Sequence, residues 1–426
     1  LVLCQSGKEG LILQAVQDDL AIRYHLEGPC ASDAIAFTAL ALASFEGRRD
    51  ELVELEQVSF GKGQARWRDS SGQQVLELET VTPESVPQFP PLPKQFTPMP
   101  AGFLQALDES ARTTPKEYPR FALTRMRLRG KTGEIVATDG RQLLIQKGFP
   151  FPWSDAVLVP RVSAFGYREL LGEEPVTIGR TKSHVAIQVG CWTFLLRIDT
   201  AGRFPDVDAV IPKASSVSSR LHLDTTDAEC LMAALPNLPG HDQEHSPITL
   251  DLGTPITVRA RREGQEQPTE IVLARSRASG PPLRFACDRT LLLRALKLGF
   301  TEIEVVKTEQ PVVCRNERGL YVWMPLEPKY TIPATTEYSS PTPSERSNPP
   351  MPQSTSDNGN GHLNGSTEPE RWGIAEVIAE TETLRTQLQD AAARTARLLA
   401  ALKHQRRRSR AVQQAMQSLK QLQLDR

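Results

Sequence analysis

No two cysteines in this chain stand in a CxxC spacing; the six, Cys4, Cys30, Cys191, Cys230, Cys287 and Cys314, are scattered. That argues against a zinc ribbon, offers no disulfide framework, and fits a reducing, cytoplasmic setting. No run of about eighteen apolar residues is present to span a bilayer. The opening LVLCQSGKEG lacks the basic, apolar and small-residue order of a signal peptide, and it begins without Met, so some N-terminal residues of the natural protein are expected to be missing. GxSxG, Walker A, GxGxxG and HExxH are absent as well, which leaves no motif for nucleophilic, nucleotide, cofactor or zinc chemistry. Neither charge is in excess. With 50 Lys/Arg against 51 Asp/Glu the formal net charge is -1, which excludes a wholesale basic coat for nucleic acid but not a local basic face.

What is present is modular. The 426 residues exceed what one hydrophobic core supports, so two to four domains are expected. Charge is unevenly spread: residues 371–426 hold eleven Lys/Arg and five Asp/Glu, which makes the tail basic and leaves the body acidic at −7. Residues 331–370 are rich in Pro, Ser, Thr, Asn and Gly and read as a disordered linker. As a flexible coil of about forty residues it has a typical span of roughly 35 Å. Beyond it, Val377, Leu384, Ala391, Leu398, Val412 and Leu419 recur every seven residues, with Leu388, Leu402 and Met416 at the second seam position. This predicts a coiled-coil helix over 371–426. Its seam turns polar at Gln405 and Ser409, inside the basic run Lys403, His404, Arg406, Arg407, Arg408 and Arg410, which marks a register-setting break, a solvated basic face, or a contact with an acidic partner or with phosphate or DNA.

Ahead of the linker, short helices alternate with clusters of short strands about every 120 residues, an α+β pattern of sheets covered on one side by helices. Predicted helices are 36–45, 101–110, 161–171, 226–235 and 288–298, the last with an Asp start and a Gly299 stop. GLILQAVQDDLAIRY reads as a strand, as do VAIQV, TFLLRI, EIEVV, PVVC and LYVWM. His241 and His245 form the one close histidine pair, but Pro236, Pro239 and Gly240 before them predict a loop rather than a helix presenting both imidazoles on one face. Asp139 and Asp206 lie in turn-like segments, where bonding to nearby backbone accounts for them.

Three segments in order carry a resemblance: Ala137-Thr138-Asp139-Gly140-Arg141-Gln142-Leu143 after a strand; Gly202-Arg203-Phe204-Pro205-Asp206 followed by Val210-Ile211-Pro212-Lys213; and Tyr321-Val322-Trp323-Met324-Pro325-Leu326. Together they resemble the beta sliding clamp, the processivity subunit of bacterial DNA polymerase III, over about residues 1–328. The resemblance implies a three-domain DNA clamp, here 1–92 (N-terminally incomplete), 93–216 and 217–330, with antiparallel sheets outside and helices lining a ring closed by a head-to-tail homodimer. It implies a non-catalytic protein that holds duplex DNA without reading sequence, through weak phosphate contacts. DNA-facing candidates on the predicted helices are Arg48, Arg49, Arg112, Arg161, Arg168, Arg289, Arg294 and Lys297.

The resemblance also implies an apolar cleft between the second and third domains. Short peptides of DNA polymerase III and its clamp loader dock there, and its walls here are Leu123, Thr138, Gly140, Arg141, Leu143, Pro212, Val322, Met324, Pro325 and Leu326. Family members end soon after the Met-Pro segment with a basic and an apolar residue; this chain continues into Glu327-Pro328-Lys329 and the linker, which alters the cleft's rim. No metal or cofactor is implied. Two alternatives stand beside the clamp: a clamp-like scaffold that no longer encircles DNA and assembles partners through its coiled coil, and a nucleic-acid enzyme using the His241/His245 loop.

Overall fold

The computed structural model describes residues 1–43, 52–69, 72–117, 122–172 and 175–334. The predicted linker from residue 335 on, the coiled coil with its basic run, Arg48 and Arg49 lie outside the described residues. In chain order the first segment has β1 (Val2–Gly7), β2 (Gly10–Gln17), β3 (Leu20–Glu27), β4 (Asp33–Phe37), α1 (Ala39–Leu42), β5 (Glu54–Ser59), β6 (Lys62–Asp69) and β7 (Gly72–Val81). The second has β8 (Thr97–Pro98), α2 (Phe103–Thr113), β9 (Arg125–Arg129), β10 (Glu134–Thr138), β11 (Gln142–Lys147), β12 (Ala156–Pro160), α3 (Arg168–Leu171), β13 (Val176–Arg180), β14 (His184–Val189) and β15 (Trp192–Arg197). The third has β16 (Ser219–His222), α4 (Thr225–Ala234), β17 (Pro247–Asp251), β18 (Thr257–Ala260), β19 (Thr269–Val272), β20 (Arg277–Ser279), β21 (Arg284–Asp288), α5 (Arg289–Lys297), β22 (Glu302–Val305), β23 (Val312–Asn316) and β24 (Gly319–Trp323).

One unit recurs: a strand, a helix, then a three-stranded meander. β8-α2-β9-β10-β11 and β12-α3-β13-β14-β15 are the two halves of the second segment; β16-α4-β17-β18-β19 and β21-α5-β22-β23-β24 are those of the third. The lead strand of each half pairs with the first meander strand of the other half, as in β12 with β9, β8 with β13, β16 with β22 and β21 with β17. In the first segment β1-β2-β3 and β4-α1-β5-β6-β7 follow the same plan, β4 pairing with β1. Segments join by continuing sheets: β3 lies beside β15, and β11 beside β24. The result is an eleven-stranded, a nine-stranded and a four-stranded sheet.

Helix placement follows the capping chemistry. Asp224 and Asp288 accept the amide protons of Thr226 and Thr290, each at 2.8 Å, and so start α4 and α5. Gly299, at φ +81°, ends α5 as expected. The inward faces of α4 and α5, Leu231, Leu292 and Leu296 among them, pack with Phe285, Phe300, Tyr321 and Trp323 into the core of the third segment. Phe103, Leu104, Leu107 and Ala111 of α2 enter the core of the second with Phe165, Phe194 and Leu196.

Three expectations are corrected. The helix predicted over 36–45 begins only at Ala39, because Ala36 and Phe37 are fully buried as the end of β4. The helix over 161–171 is broken at Tyr167, which is extended. Phe165 and Leu170 both enter the core, and five residues of continuous helix would set them roughly 140° apart. GLILQAVQDDLAIRY is a hairpin, not one strand: Asp18, at φ 49°, and Asp19 make the turn between β2 and β3.

Candidate partner-binding site

The turn joining β10 to β11 is built from its own side chains. Asp139 Oδ1 accepts the amide protons of Arg141 and Gln142, each at 2.8 Å. Thr138 Oγ1 donates to the Gln142 carbonyl at 2.7 Å and accepts from the Gly140 amide at 3.1 Å. Gly140 takes φ +91°, the left-handed region where a side chain is strained. The space beside it is open, with Leu123 Cδ1 4.0 Å from the position of an added Cβ.

This turn is docked on the last strand. β11 runs antiparallel to β24, Gln142 opposite Trp323 and Leu143 opposite Val322, and the Met324 amide donates to the Arg141 carbonyl at 3.2 Å. Behind them Val136, Leu143, Ile145, Val207, Val313, Leu320 and Val322 form one apolar cluster, against which Phe204 and Ile211 pack. Pro212 is held to the same sheet by Arg315, whose Nη2 donates to its carbonyl at 2.8 Å while its Nε donates to Glu304 at 2.9 Å. The 122–124 turn carrying Leu123 is tied to the Arg203 carbonyl through the Ala122 amide at 3.0 Å. The three motifs, far apart in sequence, thus meet along the β11–β24 junction.

Their exposure divides them into floor and rim. Leu123, Thr138, Leu143 and Val322 are buried; Pro212, Pro325 and Leu326 are partly exposed, and Arg141 is exposed. Met324 and Val210 keep 45% and 55% of their surface in contact with solvent, a large share for apolar side chains beside each other's segments. After Met324 the chain leaves the strand: the Leu326 amide donates to the Ala286 carbonyl at 2.8 Å, and the Ile332 amide donates to Thr249 Oγ1 at 2.8 Å. Sequence reasoning missed Gln142 and Tyr321. The Tyr321 hydroxyl donates to Gln142 Oε1 and Gln142 Nε2 donates to Asp139 Oδ2, so the turn is fixed from inside the core. Burial raises the Tyr321 phenol well above its ordinary value, which keeps it a neutral donor.

The DNA-facing candidates fare unequally. Arg112 is exposed on α2 and pairs with Asp108 at 2.8 Å, Arg168 is exposed on α3, Lys297 is exposed on α5, and Arg161 is half-buried. Arg289 is a correction. It is 3% exposed, and its guanidinium donates to the carbonyls of Leu235, Leu238, Pro239, Ser246 and Pro247. It pins the loop after α4 and cannot meet a phosphate. Arg294 is also engaged: Nη2 donates to the Glu109 carbonyl at 2.7 Å and to Thr113 Oγ1 at 2.9 Å, bridging α5 to the end of α2.

His241 and His245 lie in the expected loop, His245 beside Glu244 and edge-on to Tyr330. No group of three potential metal ligands occurs among the described residues. A separate cavity of about 680 Å³ opens between the β17–β18 turn and β20, lined by Thr254, Pro255, Leu273, Ser276 and Arg277, and none of the predicted site residues lines it. No helix among the described residues is long and apolar enough to cross a membrane.

Neither known protein families nor curated proteins match this sequence. Solved structures do. The DNA polymerase III subunit beta of Pseudomonas aeruginosa is 21% identical, with a TM-score of 0.63 over 76% of this chain and 92% of that one. The Pseudomonas aeruginosa sliding clamp bound to griselimycin is 20% identical, with a TM-score of 0.62 over 76% of this chain and 90% of that one. The DNA polymerase sliding clamp of Bacillus subtilis is 16% identical, with a TM-score of 0.64 over 76% of this chain and 90% of that one. With its antiparallel sheets, few helices and recurring half-units, the chain has the fold of the bacterial DNA polymerase III beta subunit, the sliding clamp.

Proposed function

We propose that this chain is a non-catalytic sliding clamp of the cytoplasm: two copies, each of three domains (1–92, 93–216 and 217–330), close head to tail around duplex DNA. Polymerase and other partners are tethered through the groove at the β11–β24 junction. One observation carries the reading. At each junction the last strand of a first-half meander pairs with the last strand of a second-half meander from the next segment, β3 with β15 and β11 with β24. Two meander ends remain among the described residues. β19, a first-half end, is the terminal strand of its sheet, and β7, a second-half end, borders β4 only through Thr80 and Val81. A second copy offers each the type of strand the rule calls for, and two such junctions make a closed ring.

The chemistry is that of retention without recognition. Contacts to base edges would trap a sliding ring at particular sequences, so only exchangeable phosphate contacts serve. Arg112, Arg168 and Lys297, exposed on α2, α3 and α5, supply cations of that kind. Internal use of Arg289 and Arg294 thins the helix charge and favours the second reading, a clamp-shaped scaffold assembled through residues 371–426.

A mass measurement at micromolar concentration separates the two on a chain ending at residue 334, the last of the described residues. A dimer supports the clamp; a monomer from a dimeric full-length protein supports the scaffold. For the groove, griselimycin, bound in a solved Pseudomonas aeruginosa clamp, is the probe. Its affinity should fall on Met324→Ala, and an unchanged affinity would place the groove elsewhere.

A further inference from the structure

The nine-stranded sheet ends at β20, which pairs with β16 alone: His222 lies opposite Arg277, Leu221 opposite Ala278 and Arg220 opposite Ser279. On the other side of β16, one step past the His222–Glu302 pair, the Leu223 amide donates to the Thr301 carbonyl at 2.8 Å. Bonding alternates along a strand, so residues 221 and 223 bond toward β22 while 220 and 222 bond toward β20. Arg277 and Ser279 therefore direct their backbone groups at β16. The amide and carbonyl of Ala278 point outward, where no strand of the described residues meets them.

Against that edge lies the cavity of about 680 Å³, a size usual for ligand sites. Its wall is partly apolar: Leu252, Ile256 and Leu273 belong to the same core cluster as Leu221. Ala278 shares the face of Leu221, its partner across the ladder, yet it is exposed at the cavity. Arg277 lines the cavity too. It is exposed, and its guanidinium makes no hydrogen bond or ion pair among the described residues. The carboxylates bonded to the lining segments are already engaged: Asp227 accepts from the Ser276 amide at 2.9 Å and hydroxyl at 2.7 Å, and Asp251 accepts from Arg259 and Arg284 besides the Gly253 amide. Glu302 stands two strands away, 3.6 Å from His222. An unpaired cation, an apolar hollow and an open backbone edge thus coincide.

From this we propose that β20 is a docking edge for an extended acidic peptide of a partner protein, added to the sheet as a further strand. The peptide residue opposite Ala278 bonds to its amide and carbonyl and turns an aliphatic side chain into the cavity, because paired residues share a face. Its neighbour in the peptide projects to the other face, where a carboxylate meets Arg277. Main-chain bonds supply affinity that any extended peptide shares; the hollow and Arg277 choose among peptides. The site is additional to the tethering groove, since none of its lining residues belongs to the β11–β24 junction or to β19.

The test selects short random peptides displayed on phage against the full chain, then titrates each enriched peptide, fluorescein-labelled, into the chain and its variants. A class carrying Asp or Glu beside Leu, Ile or Val is expected. Its affinity should fall by roughly tenfold or more on Arg277→Glu, which reverses the charge, and on Ala278→Pro, which removes the outward amide, while Met324→Ala leaves it unchanged. Arg277 and Ala278 are exposed, so urea midpoints equal to that of the unaltered protein separate lost binding from lost fold. The proposal is overturned if no enriched peptide weakens on Arg277→Glu, or if those that do also depend on Met324 and so belong to the groove.

Discussion

The Tyr321 hydroxyl donates to Gln142 Oε1 at 2.5 Å, joining the last strand of the fold to the turn that carries Thr138–Arg141. Tyr321 is fully buried, and the amide it meets bonds onward to Asp139 at 2.8 Å. The geometry of an exposed rim is therefore set by a hydrogen bond inside the core.

Tyr321→Phe removes that donor and leaves Gln142 Oε1 without it in a partly buried place. The expected cost is about 1–2 kcal/mol, read as a lower urea midpoint at unchanged slope. Griselimycin binding should weaken in the same variant as the turn loosens. A midpoint equal to that of the unaltered protein would mean that the bond contributes nothing.

Arg289 and the exposed helix cations should separate cleanly. Arg289→Leu strands five carbonyls around one side chain and should destabilise the protein by about 3–5 kcal/mol in denaturant unfolding. Arg168→Ala and Lys297→Ala should leave stability within about 0.5 kcal/mol and instead lower the salt dependence of DNA retention. An unchanged salt dependence in the paired variant would remove these residues from the DNA face.

Gly140→Ala tests the turn. At φ +91° a methyl group is strained, yet nothing lies closer than 4.0 Å to it, so the cost should be that of the backbone alone, about 1–2 kcal/mol. A much larger loss in thermal unfolding would indicate a steric clash the geometry does not contain.

Acid should act through Asp251. Burial pushes its carboxyl up, but hydrogen bonds from Arg259 at 2.6 Å and Arg284 at 2.7 Å outweigh this and hold it below the ordinary value. With the folded value depressed, its stabilisation is full above the unfolded value of about 3.9 and is lost as pH falls from there through the folded value. Asp251→Asn should flatten the stability profile in that acid window. A profile as steep as that of the unaltered protein would assign acid sensitivity to other carboxylates.

Much of this was legible because the informative residues are local. Asp288 and Gly299 bracket α5, and Asp139-Gly140 announces a turn whatever the fold around it. What escaped is what partners decide. Arg289 follows a helix cap, where an arginine is ordinarily solvated, and only the return of 235–247 over it makes it a core residue. The break at Tyr167 likewise follows from two core demands, Phe165 and Leu170, that one helix face cannot meet. The β11–β24 pairing joins residues some 180 positions apart, which no local pattern records.

Imaging the full chain by negative stain at micromolar concentration bears most directly on the central claim, that β7 and β19 of two copies complete the strand junctions. The account predicts closed two-subunit rings with a central hole, opened by Val272→Pro, which removes an amide from the free edge of β19, since Leu273 beside it bonds inward to Ile256 of the β18 side. Particles without a hole, or rings that persist unchanged in that variant, would contradict it.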